Sequence, residues 1–212
     1  MSAYDRIRRL LDGDDTVVLD GGVGSELVRR GVRWRGHGLR TDPEAVRSLH
    51  GEYVAAGADV IRTRRRPDLA GNGQQRQGGP GRTRGARGAG LHCWVGLVCD
   101  ESGRLFTGET MADAERGLAP LEPDVVLVNC IPPDDATAGL RELLAVRGGP
   151  CGVYPHAGRF DPPEWHFTDE YPPQTLADQA RHWADMGAWV IGGCCGTTPE
   201  HIAAFSRTLR VS

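Results

Sequence analysis

The sequence predicts an α/β protein built on a parallel sheet. Short continuous apolar runs of buried-strand type alternate with segments whose apolar residues recur at helical spacing, and reactive side chains collect where those runs end. Ile7, Leu10 and Leu11 mark an opening helix, and Thr16-Val17-Val18-Leu19-Asp20 is a first strand covered on both faces. Asp42-Pro43-Glu44 opens a helix with a capping residue and proline at its first position, and Ala45, Val46, Leu49, Tyr53 and Val54 continue it. Gly57 stops that helix, and Ala58-Asp59-Val60-Ile61 reads as a second strand. The rhythm resumes with a strand over 94–99, a helix over 111–118, a strand over 124–130 and a helix over 134–147. It closes with a strand over 151–154, a helix over 174–186, a strand over 189–195 and a helix capped by Thr198-Pro199-Glu200.

The strands end in Asp20, Asn129-Cys130 and Cys194-Cys195. Both a closed (β/α)8 barrel and a doubly wound sheet place their sites at strand C-terminal ends. Six strands are recognisable, and the deficit from eight has an address. Residues 62–90 hold eight Arg, Asp68 as their one acidic residue, Leu69 as their one large aliphatic side chain, and many Gly and Gln. That composition cannot form a strand with an apolar face and reads as irregular. The chain is thus expected to be one domain over 1–212 with an Arg/Gly-rich segment at 62–90.

Composition narrows the function. A chain of 212 residues with 39% hydrophobic and 25% charged residues can bury a core, and a net charge of −3 gives no field that favours nucleic acid or an anionic membrane. No aromatics interleave the arginines of 62–90, so a solvated loop is the better reading of that segment than a nucleic-acid arm. No apolar run is long enough to span a membrane and residues 1–11 lack a signal-peptide core, which points to the cytoplasm. All 25 basic residues are Arg, which excludes Schiff-base and P-loop lysine chemistry.

The six cysteines stand at 93, 99, 130, 151, 194 and 195 in a chain too core-rich to need a disulfide framework. Cys93, Cys99 and Cys151 read as small buried hydrophobes. Adjacent cysteines bridge each other only under strain, whereas Cys194 and Cys195, on a turn with glycines on both sides, can both reach one soft cation. Cys130 ends the preceding inner strand but one, and three sulfurs with one open position is how a catalytic zinc is held. Asp20-Gly21-Gly22-Val23-Gly24 fails the dinucleotide pattern, because Leu27 stands where the third glycine belongs and a carboxylate at Asp20 repels phosphate. It suits an amine or amino-acid substrate, with backbone N–H groups approaching a carboxylate, or is a plain tight turn.

Val18-Leu19-Asp20-Gly21-Gly22-Val23-Gly24-Ser25-Glu26, Val128-Asn129-Cys130 and above all Gly192-Gly193-Cys194-Cys195-Gly196-Thr197-Thr198-Pro199-Glu200-His201-Ile202 resemble the homocysteine S-methyltransferase family. The resemblance covers 14–61 and 91–210 and implies a (β/α)8 TIM-barrel type, here incomplete with about six β/α units. It implies Zn2+ on Cys130, Cys194 and Cys195, and small-molecule partners. Asp20, Gly21 and Gly22 would hold the homocysteine head group and Asn129 would steady the site. The implied reaction moves a methyl group from an onium donor (S-methylmethionine, S-adenosylmethionine or betaine) to homocysteine, giving methionine. Trp34, Tyr154 and Trp165 are candidate faces for the onium. His156 and His166 are expected at the surface or behind the site, since an activated thiol needs no general base. Residues 62–90 replace two β/α units, with an acidic contact to the homocysteine amine, and a Thr-Asn pair after the second strand is lost. The alternative is an impaired remnant whose open sheet edges pair with a second copy.

Overall fold

The structure is a computed structural model that describes residues 3–13, 15–32, 42–62, 92–161 and 164–210. In chain order the elements are α1 (Ala3–Asp12), β1 (Val17–Val18), α2 (Val23–Arg29), α3 (Pro43–Ala55), β2 (Trp94–Leu97), α4 (Met111–Leu118), β3 (Val125–Asn129), α5 (Pro133–Val146), β4 (Cys151–Tyr154), β5 (Arg159–Asp161), β6 (Glu164–His166), α6 (Pro173–Met186), β7 (Val190–Ile191) and α7 (Pro199–Leu209). The segment expected to be irregular, 62–90, lies outside the described residues except for Arg62.

All five strands of the main sheet are parallel, in the order β1-β7-β4-β3-β2, and a parallel bridge from Leu19 to Val60 extends the sheet beyond β1. The first and last strands are therefore neighbours, and every other neighbour is consecutive in the chain. Among the described residues this cyclic order is that of a wound barrel, with Val60 and β2 at its two ends. A doubly wound sheet would reverse direction in mid-sheet, so the strand order separates the two architectures that the sequence left open.

Side chains alternate across the strands as a barrel requires. Val17, Leu19, Val125, Leu127 and Val190 point inward and pack on Ile7 and Leu11, so α1 closes the end of the sheet away from the strand C-termini. Val18, Val126, Val128, Val153 and Ile191 point outward to Leu49, Tyr53, Leu140, Trp183 and Phe205 of the surrounding helices. Cys93, Cys99 and Cys151 are buried in this outer core, as expected of small hydrophobes.

The caps follow the sequence. Asp42 accepts from Ala45 N–H at the start of α3, and Thr110 and Asp113 form a reciprocal capping box on α4. On α7 the third position is His201, whose Nδ1 accepts from Thr198 N–H at 3.2 Å while its Nε2 pairs with the Tyr171 carbonyl at 2.9 Å. Asp59 ties the Val60 segment down, accepting from Val18 N–H at 3.0 Å and pairing with Arg210 at 2.7 Å. Two elements were not expected: the short helix α2 and the antiparallel hairpin β5–β6.

Candidate metal centre

Cys130, Cys194 and Cys195 meet at the C-terminal ends of β3 and β7. Their three sulfurs lie within 4.8 Å of one another, and Cys130 Sγ stands 3.8 Å from Cys195 Sγ. A tetrahedral zinc with bonds of about 2.3 Å separates its sulfurs by about 3.8 Å, so this donor set fits the ion in both chemistry and spacing. The main chain holds each thiol. Cys130 leaves β3 in a left-handed conformation (φ 55°) and its N–H donates to the Tyr154 carbonyl at 3.1 Å. Cys194 N–H donates to the Pro155 carbonyl at 2.7 Å, and the Cys195 carbonyl accepts from Ala157 N–H at 2.8 Å.

Proton sharing within the cluster is unequal. The Cys194 thiol is held well below the usual range, by hydrogen bonds from Cys130 and Cys195 and by the charge of Arg62. Hydrogen bonding to Cys194 pushes Cys130 up. For Cys195, the bond with Cys130 pulls down, but the bond with Cys194 and burial outweigh it, pushing that thiol up to about 12.

The glycines before α2 have a steric reason. A Cβ on Gly22 would stand 2.5 Å from the Cys194 carbonyl oxygen and 3.1 Å from Cys195 Cα, and one on Gly21 would stand 2.8 Å from Thr197 Oγ1 and from the Tyr53 ring. The turn after β1 thus packs directly on the cysteine turn. Gly22 N–H donates to both the carbonyl and the hydroxyl of Thr197 at 3.1 Å, and Thr197 Oγ1 donates to the Cys194 carbonyl at 2.7 Å. Ser25 Oγ accepts from Gly196 N–H at 2.8 Å, and Tyr53 donates to the Thr197 carbonyl at 3.0 Å. The Gly22 amide, expected to approach a substrate carboxylate, is engaged within the protein. Thr197, Ser25 and Tyr53 were not singled out in the sequence; the Thr-Thr run after the cysteines was the one signal pointing to Thr197.

Asp20 is fully buried at the end of the first strand, and its carboxylate faces Arg62 instead of open space. Arg62 Nε donates to Oδ1 at 2.6 Å and its backbone N–H to Oδ2 at 3.0 Å. Burial pushes the Asp20 carboxyl up, against the pull of Arg62. The guanidinium lies 4.5 Å above the Tyr154 ring, so the Tyr154 face expected for an onium is taken. Asn129, in register with Tyr154 across β3 and β4, stands beside Cys130 and is half-buried. Trp34 and the Trp165 side chain lie outside the described residues.

A cavity of about 860 Å³ opens on Cys130 and Cys195. Phe106, Phe167 and Tyr171 give it aromatic walls, with Ser25, His156, Arg159 and Glu170 as polar members. His156 is buried here, and burial lowers its pKa; the Cys194 charge opposes that shift.

Comparison with known proteins identifies the family. A family model described as Homocysteine S-methyltransferase matches residues 17–64 and 76–209. A homocysteine S-methyltransferase of Escherichia coli is 37% identical over 115 residues, which are 52% of this chain and 37% of that protein. A methionine synthase of Mycobacterium leprae is 32% identical over 172 residues, 76% of this chain and 14% of that protein. The chain therefore spans well under half the length of these curated relatives. Among solved structures, the Escherichia coli homocysteine methyltransferase MmuM superimposes with a TM-score of 0.72 in its apo form and 0.71 in its metallated form, at 22% and 21% identity. Each superposition covers 95% of this chain and 99% of the other, and shows a common fold. With the family model matched over most of its length, the chain belongs to the homocysteine S-methyltransferase family.

Proposed function

We propose that the chain transfers a methyl group from an onium donor to the thiol of homocysteine, with zinc held by Cys130, Cys194 and Cys195. The observation that carries this reading is the three-sulfur cluster, two of whose thiols, Cys130 and Cys195, line a mainly apolar cavity. Bound zinc would lower the pKa of the acceptor thiol, so that a thiolate is present at neutral pH. The transfer is a direct displacement: the acceptor sulfur's electron pair forms the bond to the methyl carbon as the methyl–onium bond breaks and its electrons return to the donor. No protein nucleophile is needed.

The chain's own residues set the geometry. The seat formed by Gly21, Gly22 and Thr197 fixes the Cys194 main chain, Asn129 lies beside Cys130, and Asp20 acts on the head group through Arg62. Phe106, Phe167 and Tyr171 line the cavity with aromatic surface suited to an onium. Six unpaired thiols suit a reducing cytoplasm. The retained cluster favours this reading over an inactive remnant.

Elemental analysis tests it. About one zinc per chain in the wild type, lost in Cys130→Ala and in the paired Cys194→Ser, Cys195→Ser variant, followed by methionine formation with S-methylmethionine, S-adenosylmethionine or betaine, is the expected result. A soluble wild-type chain that takes up no zinc and forms no methionine with any donor refutes it.

A further inference from the structure

Arg62 is an unexpected occupant of the acidic end of the acceptor site. Asp20 is closed to solvent, and both its carboxylate oxygens accept from Arg62. Arg62 Nη2 further donates to the carbonyls of Asp20 at 2.9 Å and Gly21 at 3.0 Å, and to that of Gly193, the residue before Cys194. Its guanidinium is stacked on Tyr154, yet the side chain keeps 32% of its surface exposed. Among the described residues, the charged group with exposed surface on the Cys194 side of the cluster is therefore a guanidinium, with the carboxylate sealed behind it.

An ammonium could reach Asp20 only by displacing Arg62 from all of these bonds, and would then replace one cation by another. A carboxylate meets a charge of opposite sign already held in place. We propose that Arg62 is a specificity-determining residue: the acceptor is recognised by the carboxylate of a short-chain thiol acid, and its amino group contributes no affinity. The inference rests on the methyl-acceptor reading above and narrows it to thiol carboxylates as a class, homocysteine being one member.

The test is binding to the cobalt-loaded protein, followed by thiolate-to-cobalt absorption, with three thiols: homocysteine, mercaptobutanoate, which lacks the amine, and aminopropanethiol, which lacks the carboxylate. Homocysteine and mercaptobutanoate are expected to bind within about threefold of each other, and aminopropanethiol at least about tenfold more weakly. In Arg62→Gln, which retains the backbone bond to Asp20, aminopropanethiol should gain at least about tenfold relative to mercaptobutanoate. Where that variant does not fold, the wild-type series decides alone. Homocysteine binding about tenfold or more tightly than mercaptobutanoate to the wild type overturns this inference and leaves the methyl-acceptor reading standing. A spectrum unmoved by all three thiols overturns both.

Discussion

Gly22→Ala probes the contact on which the cysteine turn rests. The added methyl would stand 2.5 Å from the Cys194 carbonyl oxygen, where ordinary contact begins at 3.4 Å, so that oxygen must retreat by about 0.9 Å. Ser25 Oγ can rotate away from the methyl at the cost of its bond from Gly196 N–H, whereas the carbonyl is main chain and is held by Thr197 N–H at 3.2 Å and Thr197 Oγ1 at 2.7 Å. Overpacking costs about 1–3 kcal/mol and each strained hydrogen bond about 1 kcal/mol, which together give roughly 3 kcal/mol. For a chain of this size that lowers Tm by about 6–12 °C. Metal ligation tolerates displacements of about 0.2 Å, so zinc affinity should fall at least about tenfold in the same variant. Gly51→Ala is the control: it lies inside α3 with nothing near its added methyl, and should raise stability by about 0.5–1 kcal/mol. Thermal unfolding and competitive zinc titration read both variants. A Gly22→Ala protein whose Tm stays within about 2 °C and whose zinc affinity is unchanged would refute the reasoning.

Other variants test the packing and the titration. Trp183→Ala removes a fully buried ring whose Nε1 donates to Thr137 Oγ1 at 2.8 Å and should cost about 3–5 kcal/mol in urea unfolding; Trp183→Phe should cost less, because Gln179 still donates to Thr137 at 2.9 Å. Arg147→Ala leaves Glu115 without its 2.7 Å partner and frees the Pro123 and Pro150 carbonyls, so a loss of about 3–5 kcal/mol is expected by the same measurement. His201 and His156 are both held below their ordinary value of 6.5, chiefly by burial, so the unfolded chain binds more protons than the folded one as pH falls past that value. Stability should therefore be level above about pH 7 and decline on acidification below about 6.5, and His201→Gln should reduce the slope. A urea midpoint independent of pH between about 7 and 5 would count against this assignment.

How far the sequence could be read depended on whether a residue's role was local. Helix α4 and strand β4 appear with the bounds that their patterns predicted, because Thr110 and Asp113 cap one and Gly149-Pro150 precedes the other. The second strand shrinks to the Leu19–Val60 bridge, which pairs with the β1 segment alone among the described residues. Helix α2 was hidden among glycines required for close packing, which is a tertiary demand with no local signature. The cysteines stood out through their glycine-flanked turn. Arg62 did not, because an arginine at the head of a basic, glycine-rich stretch carries the signature of solvent, and its partner lies 42 residues away.

Because β1 pairs with β7, the seam of the sheet joins Val17 and Val18 to Val190 and Val18's partner Ile191. A chain emerging from the ribosome has made Cys130 long before this seam can form, and the turn that presents Cys194 and Cys195 follows directly behind the closing strand. Sheet closure and completion of the thiol cluster are thus one late event, spanning nearly the whole sequence. Prematurely terminated products keep most of the helices and most of the hydrophobic surface but can never acquire the turn that carries Cys194 and Cys195. Metal uptake would then report on completed synthesis, and chains halted before the seam should be the aggregation-prone species during translation.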